Sequence, residues 1–319
     1  MSKKVSKIIT YILVVCSFSS CGIFINNPKY VERNIKTSNT YKSNLGTFYC
    51  LQDGQCVFVD ERIEKESGNI IVALHGLGAH AGSFSFLQEY LDGQNVSSIA
   101  LDFRGFGHYQ GLKGDLKNIG IQVEDLHEII ISIRKRYPSR KIVLLGESLG
   151  SSLAIWYVQL HPENVDGLVL TSIVTSKGNG DVKLSTILNL LLAYTFQPST
   201  PVHLGYDPYI YSNDSSFINW AFNIDTLGTR AVSPRYLVQS NRVIKKSYGY
   251  LCKYPKPILI IQGGQDFLST REKTTSLIEK CDSKNIRYLF FPNMLHSIVN
   301  DKNRDEAFEG IMQWLNTLE

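Results

Sequence analysis

Three side chains in this 319-residue chain have the types and the order that nucleophilic catalysis needs: Ser148, Asp266 and His296. Ser148 stands in Gly146-Glu147-Ser148-Leu149-Gly150, after a short apolar run (Lys141 to Leu145) and before a stretch from Ser151 to Leu160 that reads as a helix. A serine between two glycines at a strand-to-helix turn is held in a strained backbone with its hydroxyl exposed at the sheet edge. A free hydroxyl is a weak nucleophile, so an imidazole must take its proton and an acid must fix the imidazole tautomer. The strand–turn–helix pattern resembles one in which the acid and then the histidine follow the serine in the chain. Of the seven histidines (His75, His80, His108, His127, His161, His203 and His296), only His296 lies in the final third, in Phe291-Pro292-Asn293-Met294-Leu295-His296. The acid belongs just beyond a late strand. Pro257 to Gln262 is strand-like, and Gly263-Gly264-Gln265-Asp266 follows it directly. An acid after the preceding strand, Gly167 to Thr171, is the alternative, but Ser172 to Gly180 holds no carboxylate.

Attack on a carbonyl places charge on its oxygen, and losing one donor to that oxygen costs about 10²–10³ in rate. One donor is the backbone N–H of Leu149, next after the serine. The other belongs to the loop after an early strand. Asn69 to Leu74 runs into His75-Gly76-Leu77-Gly78-Ala79-His80, whose glycines let the backbone turn inward, and Leu77 supplies the second N–H. His75 is expected to orient this loop rather than to carry protons, and His80 is read as loop structure.

Together with Leu101-Asp102-Phe103-Arg104-Gly105-Phe106-Gly107 and Gln110-Gly111, these motifs resemble the α/β-hydrolase fold. Within it they resemble the monoacylglycerol lipase and lysophospholipase group of serine aminopeptidase-like hydrolases, over about residues 45 to 319. The resemblance implies an α/β protein with a mainly parallel sheet flanked by helices and an inserted helical lid. It implies a serine hydrolase that cleaves carboxylic esters of lipids, of monoacylglycerol or lysophospholipid type, through an acyl-enzyme on Ser148, with no cofactor. Two other readings stay open. One is an exopeptidase or small-ester esterase on the same triad, for which Asp181, Asp207, Asp214 and Asp225 are available to hold a substrate amine. The other is a non-catalytic envelope lipoprotein that uses the fold for binding. Two residues depart from the group's pattern: Glu147 where His is commoner, and Ser151 where many relatives carry another Gly.

The elements that must position these residues alternate. Strands are predicted at 69–74, 96–101, 141–145, 167–171, 257–262 and 287–291, and helices at 83–91, 119–136, 149–161, 271–281 and toward the C-terminus. Such alternation implies a parallel sheet whose strand C-termini carry the chemistry. The alternation breaks over about 174–250, a stretch without an evident strand that reads as the lid. It includes an all-round apolar run, Leu184 to Phe196, and the aromatics Tyr206, Tyr209, Tyr211, Phe217, Trp220 and Phe222. A helix apolar on every face must be buried or meet something apolar, so the lid suits a lipophilic substrate.

The N-terminus makes a separate statement. Lys3, Lys4 and Lys7 precede an apolar run, Ile8 to Phe18, too short for a bilayer span of about 20 residues. That is the pattern of a signal peptide over residues 1–20. Phe18-Ser19-Ser20-Cys21 resembles a bacterial lipobox, with Phe18 where Leu is usual, making Cys21 the lipidated first residue of the mature chain. The expectation is a lipid anchor to a bacterial membrane at the cell envelope, facing periplasm or exterior, with residues 21–44 as a polar tether. The formal charge of +4 falls to +1 once the three leader lysines are set aside, so nothing in the charge calls for nucleic acid. No Cys/His cluster has metal-ligand spacing. Cys50 and Cys56 flank Gln52-Asp53-Gly54, a three-residue hairpin loop that sets them opposite each other, as a disulfide or as two half-buried thiols. Cys252 and Cys281 complete the set.

Overall fold

The computed structural model describes residues 29–30, 39–64, 68–175, 192–203, 207–281 and 285–318. Its centre is five strands with every residue buried: β4 (Ile70–Leu74), β5 (Ser97–Leu101), β6 (Ile142–Glu147), β7 (Gly167–Thr171) and β10 (Ile258–Gly263). Strands covered on both faces read as continuous apolar runs instead of alternating ones. With β1 (Asn39–Ser43), β2 (Gly46–Cys50), β3 (Cys56–Arg62) and β11 (Ile286–Phe291) they form a nine-stranded sheet in the order β1-β2-β3-β5-β4-β6-β7-β10-β11. From β5 to β11 all neighbours are parallel, while β1, β2 and β3 add antiparallel pairs at one edge.

Side chains of a strand alternate between the two faces of the sheet. Ile70, Val72 and Leu74 therefore pack with α2 (Gly120–Arg136), α3 (Leu149–Leu160) and α5 (Pro234–Leu251). Ile71 and Ala73 pack on the other face with α1 (Ser85–Leu91) and α7 (Arg304–Leu315). The chain leaves β4 toward β5 on one side and returns to place β6, β7 and β10 on the other. The C-terminal ends of β4 and β6 are thus adjacent at the point where strand order reverses, and a crevice opens there.

Three expectations need correction. Residues 39–43, assigned to the tether, form the edge strand β1, paired with β2 from Asn39↔Cys50 to Ser43↔Gly46. An exposed edge strand needs only backbone pairing, so its polar sequence carries no alternating apolar pattern. The 174–250 stretch does contain strand: β8 (Val202–His203) pairs antiparallel with β9 (Ala231–Val232). Its part from Pro234 onward is not lid, because α5 buries Tyr236, Leu237, Val243 and Leu251 in the main core against α3. Most of the apolar run 184–196 lies outside the described residues; at its end Leu192 and Phe196 are exposed. The leader, with Cys21, lies outside them as well.

Cys50 and Cys56 are register partners and are disulfide-bonded, with Gly54 at φ 82° closing the loop. A second disulfide joins Cys252, at the end of α5, to Cys281, at the end of α6 (Arg271–Lys280).

Candidate active site

Ser148 sits between β6 and α3 with φ 57° and ψ −114°, a left-handed backbone that a side-chain-bearing residue adopts only under constraint. The constraint is visible in its neighbours. A Cβ on Gly146 would lie 2.5 Å from the Ser151 backbone, and one on Gly150 would lie 2.0 Å from the Leu74 carbonyl oxygen. Only glycine allows α3 to start so close to both β6 and β4. Ser151 then closes the turn: its buried hydroxyl reaches the carbonyls of Gly146 (2.6 Å) and Thr171 (2.9 Å), tying α3 to β6 and β7.

The three residues chosen from the sequence meet. His296 Nε2 lies 3.0 Å from Ser148 Oγ, and His296 Nδ1 lies 2.9 Å from Asp266 Oδ1. Asp266 Oδ1 also accepts the Leu268 N–H at 2.8 Å, which fixes the carboxylate after β10. With Nδ1–H donated to Asp266, Nε2 is left as the acceptor facing the serine hydroxyl. Burial opposes protonation of His296, but the charge and hydrogen bond of Asp266, with Glu147 behind, outweigh it and raise its pKa above 6.5.

The loop after β4 is held as expected of an orienting histidine. His75 Nδ1–H donates to the Gly76 carbonyl (2.7 Å) and Nε2 accepts the Phe103 N–H (3.0 Å). Accepting at Nε2 requires a neutral ring, and burial lowers its pKa to about 4. Leu77 and Leu149 both line the cavity above Ser148. Leu149 is the first residue of α3, so its N–H has no acceptor within the helix and is available to an oxyanion.

Several positioning residues carried no sequence signal. Ser172, just after β7 with φ 55°, donates its hydroxyl to the His296 carbonyl. It occupies the place where a variant acid was sought, and it anchors the histidine loop instead. Asn300 Nδ2 donates to Ser297 Oγ (3.1 Å), which donates to Glu147 Oε1 (3.0 Å), all three residues being buried. Burial raises the Glu147 pKa to about 7, against the opposing pull of His296 and the Ser297 hydroxyl.

A cavity of about 190 Å³ opens over Ser148 and His296, with Tyr211, Phe217, Trp220 and Phe222 of the inserted segment forming its far wall. The insertion is pinned to the base. Ser297 N–H donates to the Tyr211 carbonyl (2.7 Å), His80 Nε2–H to Asp225 (3.0 Å), and Thr229 N–H to the Gly78 carbonyl (2.7 Å). His80, read as loop structure, is therefore also the strut under the lid. Tyr209 is exposed and Tyr206 lies outside the described residues. The aspartates considered for an amine site are engaged elsewhere: Asp207 caps Tyr209, Asp214 caps α4 (Ser215–Asn219) and pairs with Arg304, and Asp225 holds His80. Asp181 lies outside the described residues.

The family model described as serine aminopeptidase, S33 matches residues 65–303, which spans the turn at Ser148, Asp266 and His296. The chain belongs to this family. Among its relatives, human monoglyceride lipase is 26% identical over 276 residues, covering 83% of this chain and 88% of that protein. The solved monoacylglycerol lipase of Paleococcus ferrophilus superposes with a TM-score of 0.69 at 23% identity, over 82% of this chain and 99% of that one. A soluble variant of Saccharomyces cerevisiae monoglyceride lipase, solved with a substrate analog, gives 0.71 at 18% identity over 92% and 99%. The S33 member described here is thus an α/β-hydrolase, similar to monoacylglycerol lipases along most of its length.

Proposed function

We propose that this S33 hydrolase cleaves carboxylic esters of lipids, of monoacylglycerol or lysophospholipid type, through an acyl-enzyme on Ser148. The observation that carries the reading is the unbroken Ser148–His296–Asp266 relay opening into an apolar cavity beneath the 207–230 segment. His296 Nε2 takes the Ser148 proton as Oγ attacks the ester carbonyl, and the N–H groups of Leu77 and Leu149 hold the oxyanion. As the tetrahedral intermediate collapses, the same proton passes from His296 to the departing alcohol oxygen. A water then enters, loses a proton to His296 and attacks the acyl carbon. Ser148 Oγ leaves with that proton and the fatty acid is released. Asp266 holds the imidazole tautomer throughout.

Ester rather than peptide substrates fit the commitments of the lid carboxylates, since Asp207, Asp214 and Asp225 already serve as caps or pairs. The lipobox-like Cys21 supports anchoring at the cell envelope, and two disulfides suit an oxidising compartment. A fluorophosphonate probe should label the wild type and not Ser148→Ala; labelling of the variant removes Ser148 as nucleophile. A chain-length series of nitrophenyl esters beside an aminoacyl anilide then tests the bond, and faster turnover of the anilide would sink the lipid-ester reading.

A further inference from the structure

The cavity's charges leave one group over. Among the described residues that line it, the acids and bases are His80, Glu147, Asp225, Arg230 and His296. His80 and Asp225 hold each other, Glu147 takes the Ser297 hydroxyl, and His296 bridges Ser148 and Asp266. Arg230 differs. Its Nη2 donates to the Phe222 carbonyl and its guanidinium lies 5.4 Å from the centre of the Phe222 ring. Among the described residues no carboxylate lies within ion-pair distance of it. A guanidinium has five N–H donors, so most remain free for a planar pair of anionic oxygens. Stacking on an aromatic face also limits the freedom lost when it binds.

Its placement is fixed from both sides. Asp225 accepts the N–H groups of Leu227 and Gly228, each at 2.9 Å, making a closed turn. Thr229 N–H then donates to the Gly78 carbonyl at 2.7 Å, and Ala231 enters β9 opposite His203. Gly78 adjoins Leu77, the expected oxyanion donor. Arg230 is thus one Cα step of about 3.8 Å beyond that bond, and Leu77 is one step before it. Arg230 also lines the cavity above Ser148, and in a lipid ester the alcohol half is the part that can carry an anionic group for it.

We propose that Arg230 reads the alcohol half of the substrate, so that esters of a phosphate-bearing glycerol are taken in preference to neutral monoacylglycerols. The proposal rests on the ester-hydrolase reading above and specifies its head group. The phosphate could instead belong to lipids of a bilayer beside the cavity mouth, so the experiment separates the two sources.

The test uses the full chain with two water-soluble esters, 1-hexanoylglycerol and 1-hexanoylglycerol 3-phosphate, both below their micelle concentrations. The wild type should favour the phosphate ester in kcat/KM, and added salt should erode the preference. Arg230→Gln should reduce the ratio of the two kcat/KM values about tenfold, the scale of one charge-assisted hydrogen-bonded pair. Arg230→Lys should restore part of it, because it keeps the charge and loses the fork. Turnover of the neutral ester with no head-group preference, or an unchanged ratio in Arg230→Gln, overturns the proposal while leaving ester hydrolysis standing. Loss of cosedimentation with phosphatidylglycerol vesicles in Arg230→Gln, at an unchanged ratio, overturns it in favour of a membrane contact. No turnover of any ester removes both the proposal and the reading beneath it.

Discussion

His296 carries the influence of two carboxyl groups. Asp266 is hydrogen-bonded to it, and Glu147 acts through space while its own carboxyl is held by Ser297. The imidazole must be neutral to accept the Ser148 proton, and its protonated fraction falls as pH rises through its pKa. Because that pKa is raised above 6.5, kcat/KM should climb with pH along a limb centred above 6.5. Burial lifts the Glu147 pKa to about 7, and its charge is coupled to that of the histidine. Glu147→Gln should move the limb to lower pH, measurable as log kcat/KM against pH on a soluble nitrophenyl ester. An unmoved limb would show that Glu147 does not act on the histidine. At this scale the sequence was informative where chemistry restricts residue type. One late histidine, one acid directly after a late strand and one Gly-flanked serine are few enough to be chosen by order and position. It was silent on Ser172, Ser297 and Asn300, because serine and asparagine occur everywhere and only their neighbours in space give them a task.

The turn from β6 into α3 is where element geometry is set. The two glycines permit the approach, and the Ser151 hydroxyl shares its one proton between the carbonyls of Gly146 on β6 and Thr171 on β7. Ser151→Ala should cost about 1–2 kcal/mol in a urea-unfolding titration, since it leaves buried carbonyl groups with fewer donors. Ser151→Gly should cost a further ~1 kcal/mol through helix propensity. A stability within ~0.3 kcal/mol of wild type in Ser151→Ala would show that the clamp contributes nothing net. The central strands and the helices α1, α2, α3 and α6 were legible within a residue or two. Strands buried on both faces are continuous apolar runs bounded by loop residues, a pattern that local reading detects. β1, β8 and β9 were not legible. Each is short or exposed, and each exists only because a partner strand offers its backbone.

Across the whole molecule, two disulfides close loops of different size. Cys50–Cys56 spans 6 residues within one hairpin, and Cys252–Cys281 spans 29, from the end of α5 across β10 to the end of α6. Loop-closure entropy assigns them about 2 and roughly 3–4 kcal/mol respectively. Cys252→Ser with Cys281→Ser should therefore lower Tm further than Cys50→Ser with Cys56→Ser, by calorimetry under non-reducing conditions. Equal losses would indicate that the longer loop stays compact in the unfolded chain. The inserted segment also becomes intelligible only here. From the sequence it is a run of aromatic and apolar residues, whereas in the fold its last helix joins the core under α3 and its middle is pinned over Ser148 by Tyr211, Asp225 and Thr229. The sequence by itself singled out Ser148, His296 and Asp266, which meet in the fold, along with the glycine turns around the serine and the alternating α/β plan. These depend on residue type, order and local periodicity. Only the tertiary structure decided which polar side chains steady the histidine, which aspartates are already engaged, and which charge lining the cavity has no carboxylate partner among the described residues. Those outcomes depend on contacts between residues as far apart as Glu147 and Ser297 or His80 and Asp225, which no local pattern encodes.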